Sequence, residues 1–280
     1  RDLAAQCESR LKRLIEHCAH APISATASDF PLARIDQTSL EMLDLPFGEI
    51  DDLYVAAPVQ QGVLFHSVWQ DNGGVYLNQK RLTLHGELDH DRMLAAWQAA
   101  VDRHDILRTH FDWRHGGTAL QVVQRVATVP YAVFDWHEAG DRYEARLAGW
   151  LAADIAQGFD LSRAPLLRIN VFARPDGGHD LIWTDHHVLL DGWSVSQLMG
   201  EVLRHYAGDA IPARSGRYRD YIEWLDRRDV SASEAFWREQ LASLEGPGRF
   251  AASAPHGADA KFDGSAQVGE REYELNASAS

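Results

Sequence analysis

The sequence predicts an α/β protein, and three observations support that prediction. Apolar runs typical of buried strands alternate with segments whose apolar residues recur at helical spacing. The chain has 280 residues, of which 45% are hydrophobic, and this is enough for a substantial core. The strand-like run at 179–185 leads through two histidines into a helical pattern at 194–206. Strands interleaved with helices favour a layered α/β fold.

The first 48 residues predict a helix followed by a connector. Apolar side chains recur at helical spacing over residues 2–19. Cys7 and Cys18 fall on the apolar side of this helix, where we expect small buried hydrophobic residues. Two cysteines are too few for a disulfide framework, and a reducing compartment fits them. Residues 20–48, punctuated by Pro and Ser, predict the connector.

The middle of the chain supplies the predicted sheet and its helices. A helix is expected to begin near Pro58, because proline suits the first turn of a helix. Residues 246–266 predict a loop, and Glu270 to Leu275 predict a last strand. Strand-like runs lie at 75–85, 106–113, 119–126, 166–173 and 179–185, and helical patterns lie at 88–103, 141–157, 194–206, 217–227 and 231–243.

The charge of the chain disfavours nucleic acids and membranes as partners. The formal net charge is -14, whereas a protein that binds duplex nucleic acid needs dense Lys and Arg. The same acidity disfavours an anionic membrane surface. No apolar run approaches the length of a membrane span, and the first residues lack the apolar core of a signal peptide. We therefore expect a cytoplasmic protein that binds neither nucleic acid nor membranes.

A compact titratable cluster follows the strand-like run at 179–185. It contains His186, His187, Asp191 and Gly192. Histidine has an unperturbed pKa of about 6.5, so it can exchange protons near neutral pH. Successive side chains of a strand point to opposite faces, so only one of the two histidines can face a given cleft. We expect the other to be hydrogen-bonded in the core.

Two other interpretations of the cluster stay open. A pair of histidines can cap a sheet edge without doing any chemistry. His, His and Asp are also metal ligands, but a metal site needs at least three convergent ligands. The opposed directions of His186 and His187 disfavour that arrangement.

A second cluster carries two arginines, Arg103 and Arg108, across a helix end and the strand that follows. On its own this pattern indicates a solvated helix terminus with cations near its negative end. A buried Asp191 would need a cation, and the planar guanidinium of arginine can bind a carboxylate at two points. Either arginine is therefore a candidate ion-pair partner for Asp191.

Four segments, in order, resemble the core motifs of the condensation domains of nonribosomal peptide synthetases. They span about residues 49–245. The active-site motif of that family resembles His186-His187-x-x-x-Asp191-Gly192, with the extension Trp193-Ser194. The family's first motif resembles Pro58-Val59-Gln60-Gln61-Gly62-Val63-Leu64-Phe65-His66-Ser67. Its second motif resembles Arg103-His104-x-x-Leu107-Arg108-Thr109-x-Phe111. Its fourth motif resembles Tyr218-Arg219-Asp220-Tyr221-x-x-Trp224.

The resemblance implies a chloramphenicol-acetyltransferase-like two-layer sandwich, with this chain as one lobe of a two-lobed condensation domain. Residues 1–48 resemble the tail of an upstream epimerisation or condensation domain plus a linker, with Ser28-Asp29-Phe30-Pro31-Leu32 as its signature. Residues 49–262 would form the N-terminal lobe, and residues 263–280 the truncated start of the C-terminal lobe. A single lobe is then expected to be inactive alone.

The resemblance also implies an activity and a set of partners. Family members join a donor peptidyl or aminoacyl thioester to the amine of an acceptor aminoacyl thioester, so they are amide-bond-forming acyltransferases. The implied partners are donor and acceptor peptidyl carrier domains, together with neighbouring synthetase domains. Both substrates arrive on phosphopantetheine arms of the carrier domains, and the domain itself binds no cofactor and no metal.

The resemblance assigns a role to each residue of the motif. His187 is implied to be the catalytic residue, and His186 and Asp191 to be its structural supports. Gly192 would line the passage of the acceptor arm. Asp191 is expected to pair with Arg103 or Arg108, and we favour Arg103. Trp193, directly after the glycine, favours condensation over epimerisation.

Three alternatives accompany this interpretation. The upstream tail, if it belongs to an epimerisation domain, indicates a donor that ends in a D-residue. A standalone acyltransferase of the same fold could use coenzyme A instead of carrier domains. A catalytically silent domain could recruit carrier domains or other partners, although the intact His187 and Gly192 disfavour that role.

Overall fold

The computed structural model describes residues 2–20, 24–69, 76–114, 118–213 and 216–243. The chain divides into two units, Arg1–Arg228 and Asp229–Ser280. The expected loop at 246–266, the expected strand at Glu270 to Leu275 and the expected segment 263–280 lie outside the described residues.

The described elements alternate between helix and strand over most of the first unit. Its helices are α1 (Asp2–His20), α2 (Gln37–Met42), α3 (Pro58–Trp69), α4 (His90–Arg103), α5 (Tyr143–Gln157), α6 (Gly192–Ala207) and α7 (Tyr218–Asp226). Its strands are β1 (Ile50–Val55), β2 (Leu77–Leu84), β3 (Thr109–Asp112), β4 (Leu120–Gln124), β5 (Tyr131–Asp135), β6 (Leu167–Ala173) and β7 (His179–His186). In the second unit, the structure describes helix α8 (Val230–Leu241).

The strands form two sheets. A three-stranded antiparallel sheet has the order β1-β4-β3. A four-stranded sheet has the order β2-β7-β6-β5, in which β5 and β6 are parallel and the other pairs antiparallel. The central strand β7 is therefore paired along both of its edges.

The four-stranded sheet is apolar on both faces. Leu181 and Trp183 on one face of β7 belong to the main core, together with Trp97 of α4. Ile182, on the opposite face, packs with Leu147 of α5. Successive residues of β7 are thus buried on opposite sides, as expected of a strand inside a layered α/β domain.

The predicted helices are confirmed to within a few residues at their ends, and so are four of the five predicted strands. The run at 106–113 divides into a 3₁₀ turn, Asp105–Arg108, followed by β3. Strands β1 and β5 were not predicted. β1 carries two consecutive aspartates that interrupt its apolar pattern, and β5 is a short, half-exposed strand at the sheet edge.

The connector between α1 and β1 is more ordered than the sequence indicates. It contains α2 and the 3₁₀ turns Ala27–Asp29, Pro31–Ala33 and Phe47–Glu49. Phe30 and Leu40 from this segment are buried against Ile50 and Leu53 of β1. The connector therefore covers one side of the smaller sheet.

The expectation for the two cysteines was wrong. Cys7 and Cys18 are both exposed on α1. The apolar side of this helix is exposed as well, since Leu11 and Leu14 each keep 57% of their accessible surface. The helical spacing was correct, but within the described residues no core lies against the face that it creates.

Asp180, near the start of β7, is the centre of a buried ionic network. Its carboxylate is fully buried and accepts hydrogen bonds from Arg81 Nη2 at 2.6 Å, Thr83 Oγ1 at 2.7 Å, Tyr143 Oη at 2.8 Å and Arg174 Nη1 at 3.0 Å. Burial works to raise the pKa of Asp180, but these donors outweigh it and lower the pKa to about 2. The ionised carboxylate therefore joins β2, β6–β7 and α5.

We expect Asp180→Asn to lower the free energy of unfolding at pH 7 by about 2–3 kcal/mol, because a neutral amide replaces the fully buried charge that accepts these four hydrogen bonds. Urea unfolding of the 280-residue chain measures this loss. The folded-state pKa lies below the unfolded value of about 3.9, so the stabilisation is complete above that value. The stabilisation should decline as the pH falls below about 3.9 and be lost as the pH falls through the folded-state pKa of about 2.

Glu144→Gln serves as the matched control. Glu144 contacts the same Arg81 at 2.7 Å, but its side chain is 64% exposed, so its loss should cost less than about 1 kcal/mol. Equal urea midpoints for wild type and Asp180→Asn would contradict the assignment of a stabilising buried carboxylate.

Candidate functional site

The candidate site lies where β7 ends and α6 begins. β7 ends at His186, residues 187–189 form a turn, and α6 starts at Gly192. The His186 N–H donates to the carbonyl of Leu166 at 3.0 Å, and the His187 N–H donates to the carbonyl of Tyr76 at 2.7 Å. The residues just before β6 and β2 therefore hold both histidines by their backbones.

The two histidines have opposite environments, which confirms the expectation from strand alternation. His186 is 4% exposed, whereas His187 is exposed. The Val188 N–H donates to His186 Nδ1 at 3.2 Å, so the proton of the neutral ring is on Nε2, which lies 3.4 Å from Ser67 Oγ. Burial lowers the pKa of His186 to about 4, so the ring is neutral at pH 7.

Gln60 of α3 holds the turn through Val188. Its Nε2 donates to the carbonyl of Val188 at 3.1 Å and to Gln121 Oε1 at 3.1 Å. Its Oε1 accepts from the Ala57 N–H at 2.9 Å. Gln60 is 6% exposed, and sequence reasoning did not single it out, because its partners lie 61 and 128 residues away.

His187 lies beside polar side chains of β2 and of the end of β7. Its Nδ1 lies 3.2 Å from Asn78 Nδ2. Asp185, two residues before it, is fully buried and forms an ion pair with Lys80. Burial raises the pKa of Asp185, and the Lys80 ammonium opposes that rise. Sequence reasoning missed Asn78 and Lys80, since only the pairing of β2 with β7 brings Asn78 to His187 and Lys80 to Asp185.

The expected ion pair between Asp191 and an arginine was wrong. Asp191 is exposed and caps α6, because its Oδ1 accepts from the Ser194 N–H at 2.8 Å. That hydrogen bond lowers the pKa of Asp191. A solvated carboxylate that already accepts backbone hydrogen bonds does not need a cation.

Both arginines have other carboxylate partners. Arg103 Nε lies 3.2 Å from Glu201 Oε1 of α6, so this residue joins the end of α4 to α6. Arg108 is buried and lies 3.1 Å from Asp105, within the 3₁₀ turn that precedes β3. Each arginine is therefore paired with a carboxylate other than Asp191.

Gly192 and Trp193 begin α6 at the surface. A Cβ added to Gly192 would meet no atom within 4 Å, so the structure leaves open space there. Trp193 is 81% exposed. An open glycine beside an exposed indole is compatible with a ligand that approaches the start of α6.

Comparison with known proteins identifies the family. The family model described as the condensation domain matches residues 50–272. The chain belongs to the condensation-domain family.

The relatives of this condensation domain are parts of large synthases. A linear gramicidin synthase protein of Brevibacillus parabrevis is 37% identical over 260 residues, which are 88% of this chain and 5% of that protein. A mycosubtilin synthase protein of Bacillus subtilis is 32% identical over 251 residues, which are 85% of this chain and 10% of that protein. The chain thus spans a small part of the length of these relatives.

Solved structures support the fold. The starter condensation domain of rhizomide synthetase superposes with a TM-score of 0.60 at 20% identity, covering 70% of this chain and 51% of that chain. The predicted chloramphenicol-acetyltransferase-like α/β fold is confirmed, since the chain shares the architecture of solved condensation domains.

Two searches among the described residues gave negative results. No group of three or more His, Cys, Asp or Glu in the described ranges is placed to hold a metal ion. None of the described helices combines the length and the apolar character that crossing a membrane requires.

We expect Asp191→Ala to lower the free energy of unfolding by about 1 kcal/mol, the usual cost of losing a helix N-cap. Asp191→Asn is the matched control, because asparagine caps a helix about as well as aspartate and should leave stability nearly unchanged. Thermal or urea unfolding of the three proteins gives the comparison. A loss above about 3 kcal/mol in both variants would instead indicate a buried ion pair.

Proposed function

We propose that this chain contributes the histidine-bearing lobe of a condensation domain that forms peptide bonds. The donor is a peptidyl or aminoacyl thioester, and the acceptor is the amine of an aminoacyl thioester. One observation supports this most strongly. In the family's active-site motif, His187 is exposed at the end of a buried, doubly paired strand, while its neighbour His186 is buried and neutral.

The proposed reaction transfers an acyl group from sulfur to nitrogen. A thioester is already activated, so no covalent enzyme intermediate is needed. An α-amine has a pKa of about 8, so an appreciable fraction is neutral near pH 7. The neutral amine attacks the thioester carbonyl, the C–N bond forms, the C–S bond breaks, and the amine proton leaves. The chain must bring the two reactants together and assist charge movement.

His187 is the group that we propose to act at the reacting atoms. It can take the amine proton as a general base, or it can hold the reactants in line by a hydrogen bond. General-base catalysis typically contributes about 10²–10⁴-fold, and positioning can contribute as much. We favour a role weighted to positioning, with His186 and Asp191 maintaining the local structure.

Carrier domains are the proposed partners. Donor and acceptor peptidyl carrier domains would present their substrates on phosphopantetheine arms, so the domain itself needs no cofactor. Gly192 and Trp193, open at the start of α6, would border the acceptor arm. The relatives are named as components of synthases, which supports neighbouring synthetase domains as further partners. The proposed location is the cytoplasm.

The proposed organisation keeps the three segments expected from the sequence. Residues 1–48 would be the tail of an upstream domain with a linker, and residues 49–262 the lobe that carries His187. Residues 263–280 would begin the second lobe. The ordered connector before β1, packed on the smaller sheet, is consistent with a segment that leads directly into the lobe.

The test is condensation by a complete, two-lobed domain with two loaded carrier domains. We expect His187→Ala to slow single-turnover peptide-bond formation strongly, by up to about 10²–10⁴-fold, and to leave donor-carrier binding nearly intact. The reason is that carrier domains dock outside the site at which the amine meets the thioester. If His187 mainly orients the amine, the rate of this variant should recover little as the pH rises past about 8.

His85→Ala is the matched control, since His85 is an exposed histidine beyond the other end of β2. It should keep the wild-type rate. A wild-type rate for His187→Ala at every pH would remove His187 from the mechanism. Transfer from acyl-coenzyme A without any carrier domain would instead indicate a standalone acyltransferase.

A further inference from the structure

The pairing of β2 with β7 places Asn78 beside His187. In this antiparallel pair, Asn78 lies opposite Asp185 and Lys80 lies opposite Trp183. Residues opposite each other share a face of the sheet, as do residues two apart on one strand. The His187 N–H to Tyr76 carbonyl hydrogen bond extends the pairing past the end of β7, so Asn78 lies diagonally across from His187.

Lys80, Asp185, Asn78 and His187 form a row of polar side chains on one face of the four-stranded sheet. Lys80 forms an ion pair with the buried Asp185, and its ammonium also lies 4.3 Å from the centroid of the Trp183 ring. Asn78 lies opposite Asp185 in the strand pair, and its amide acts with Lys80 to lower the pKa of that carboxyl against the effect of burial, which raises it. At the end of this row, Asn78 Nδ2 lies 3.2 Å from His187 Nδ1.

The direction of the Asn78 amide follows from Asp185. An ionised carboxylate only accepts hydrogen bonds, so the amide must turn its NH₂ group, not its carbonyl oxygen, toward Asp185. The opposite orientation would set the amide oxygen against a buried negative charge. An NH₂ group has two N–H donors, and the second is available to His187 Nδ1.

We propose that Asn78 is a positioning residue that sets the tautomer of His187. By donating to Nδ1, it keeps the proton of the neutral ring on Nε2. The Nε2–H of this exposed side chain then donates to a ligand, so His187 acts as a hydrogen-bond donor. This inference rests on the proposed function for its catalytic meaning, but the tautomer itself is a property of the folded chain.

The chemical consequence concerns the thioester carbonyl. As the amine attacks, negative charge develops on that oxygen, and a preorganised N–H donor stabilises it. The C–N bond forms and the C–S bond breaks. The proton lost by the amine passes to the departing thiolate, directly or through water, so that a thiol is the second product. In this role, His187 need not take up a proton.

The tautomer can be measured without any activity. Long-range ¹H–¹⁵N correlation spectra of the 280-residue chain, labelled at histidine, show which ring nitrogen carries the proton, and His187→Gln assigns the signal. We expect Nε2–H in wild type at alkaline pH. In Asn78→Asp, the new carboxylate accepts from the ring, so the proton should move to Nδ1.

Two further variants control for misfolding and for indirect effects. The carboxylate of Asn78→Asp lies opposite Asp185 and could prevent folding, so Asn78→Ala is measured as well and should raise the share of the Nδ1–H form. Asn170→Ala is the matched control, an asparagine of β6 in the same sheet, and should leave the tautomer unchanged. A proton on Nδ1 in wild type, or no change in the folded Asn78 variants, overturns the proposal.

Kinetics of the complete domain with loaded carrier domains give the second measurement. At the alkaline end of the pH series, Asn78→Ala should slow condensation by about 2- to 10-fold, the value of one hydrogen bond. Asn78→Asp should be slower still, since its neutral ring has no proton on Nε2. A rate for Asn78→Asp above that of wild type would show that His187 acts as a base, and would overturn the proposal.

The two measurements separate the inference from the proposed function. If the complete wild-type domain forms no peptide bond, the proposed function fails and the spectra alone decide the role of Asn78. If condensation occurs but the tautomer does not respond to Asn78, the proposed function stands and this inference fails.

Discussion

The pairing of β7 with a neighbour on each edge is the constraint on which the candidate site depends. Backbone hydrogen bonds from His186 to Leu166 and from His187 to Tyr76 hold the end of this strand from both sides. Side chains alternate along a strand, so a slip of one residue would exchange the buried and the exposed histidine. The register of one central strand therefore decides which imidazole is available for chemistry.

Two buried carboxylates of β7 reinforce that register. Asp180 pairs with Arg81 and Asp185 pairs with Lys80, and these two cations are consecutive residues of β2. Their side chains point to opposite faces of the sheet, as do those of the two aspartates. A shift of β2 by one residue would bring each cation to the wrong face, leave the buried Asp185 without Lys80 and deprive Asp180 of Arg81, which is unfavourable. Electrostatics and strand alternation thus specify the same pairing.

The residues of the active-site motif divide into those that support the turn and those that are presented to a ligand. His186 is buried and neutral, and together with Gln60 it holds the turn through Val188. Asp191 caps α6 and so fixes the start of that helix. His187 is exposed between these supports, with its ring anchored by Asn78. The supporting groups are satisfied by hydrogen bonds within the chain, which leaves His187 free to serve the reaction that we propose.

The sequence by itself determined the α/β class, most of the helices and strands, the family and the contrast between His186 and His187. These properties depend on local spacing or on the order of motifs along the chain, and both can be read from neighbouring residues. Strands β1 and β5 escaped prediction because consecutive aspartates and an exposed edge weaken the local apolar pattern. Only the tertiary structure showed that Asp191 is a solvated cap, that Arg103 and Arg108 pair elsewhere, and that Cys7 and Cys18 are exposed. Asn78 reaches His187 across 109 residues of sequence, and partnerships of that kind depend on distance in space and on burial, which no local pattern contains.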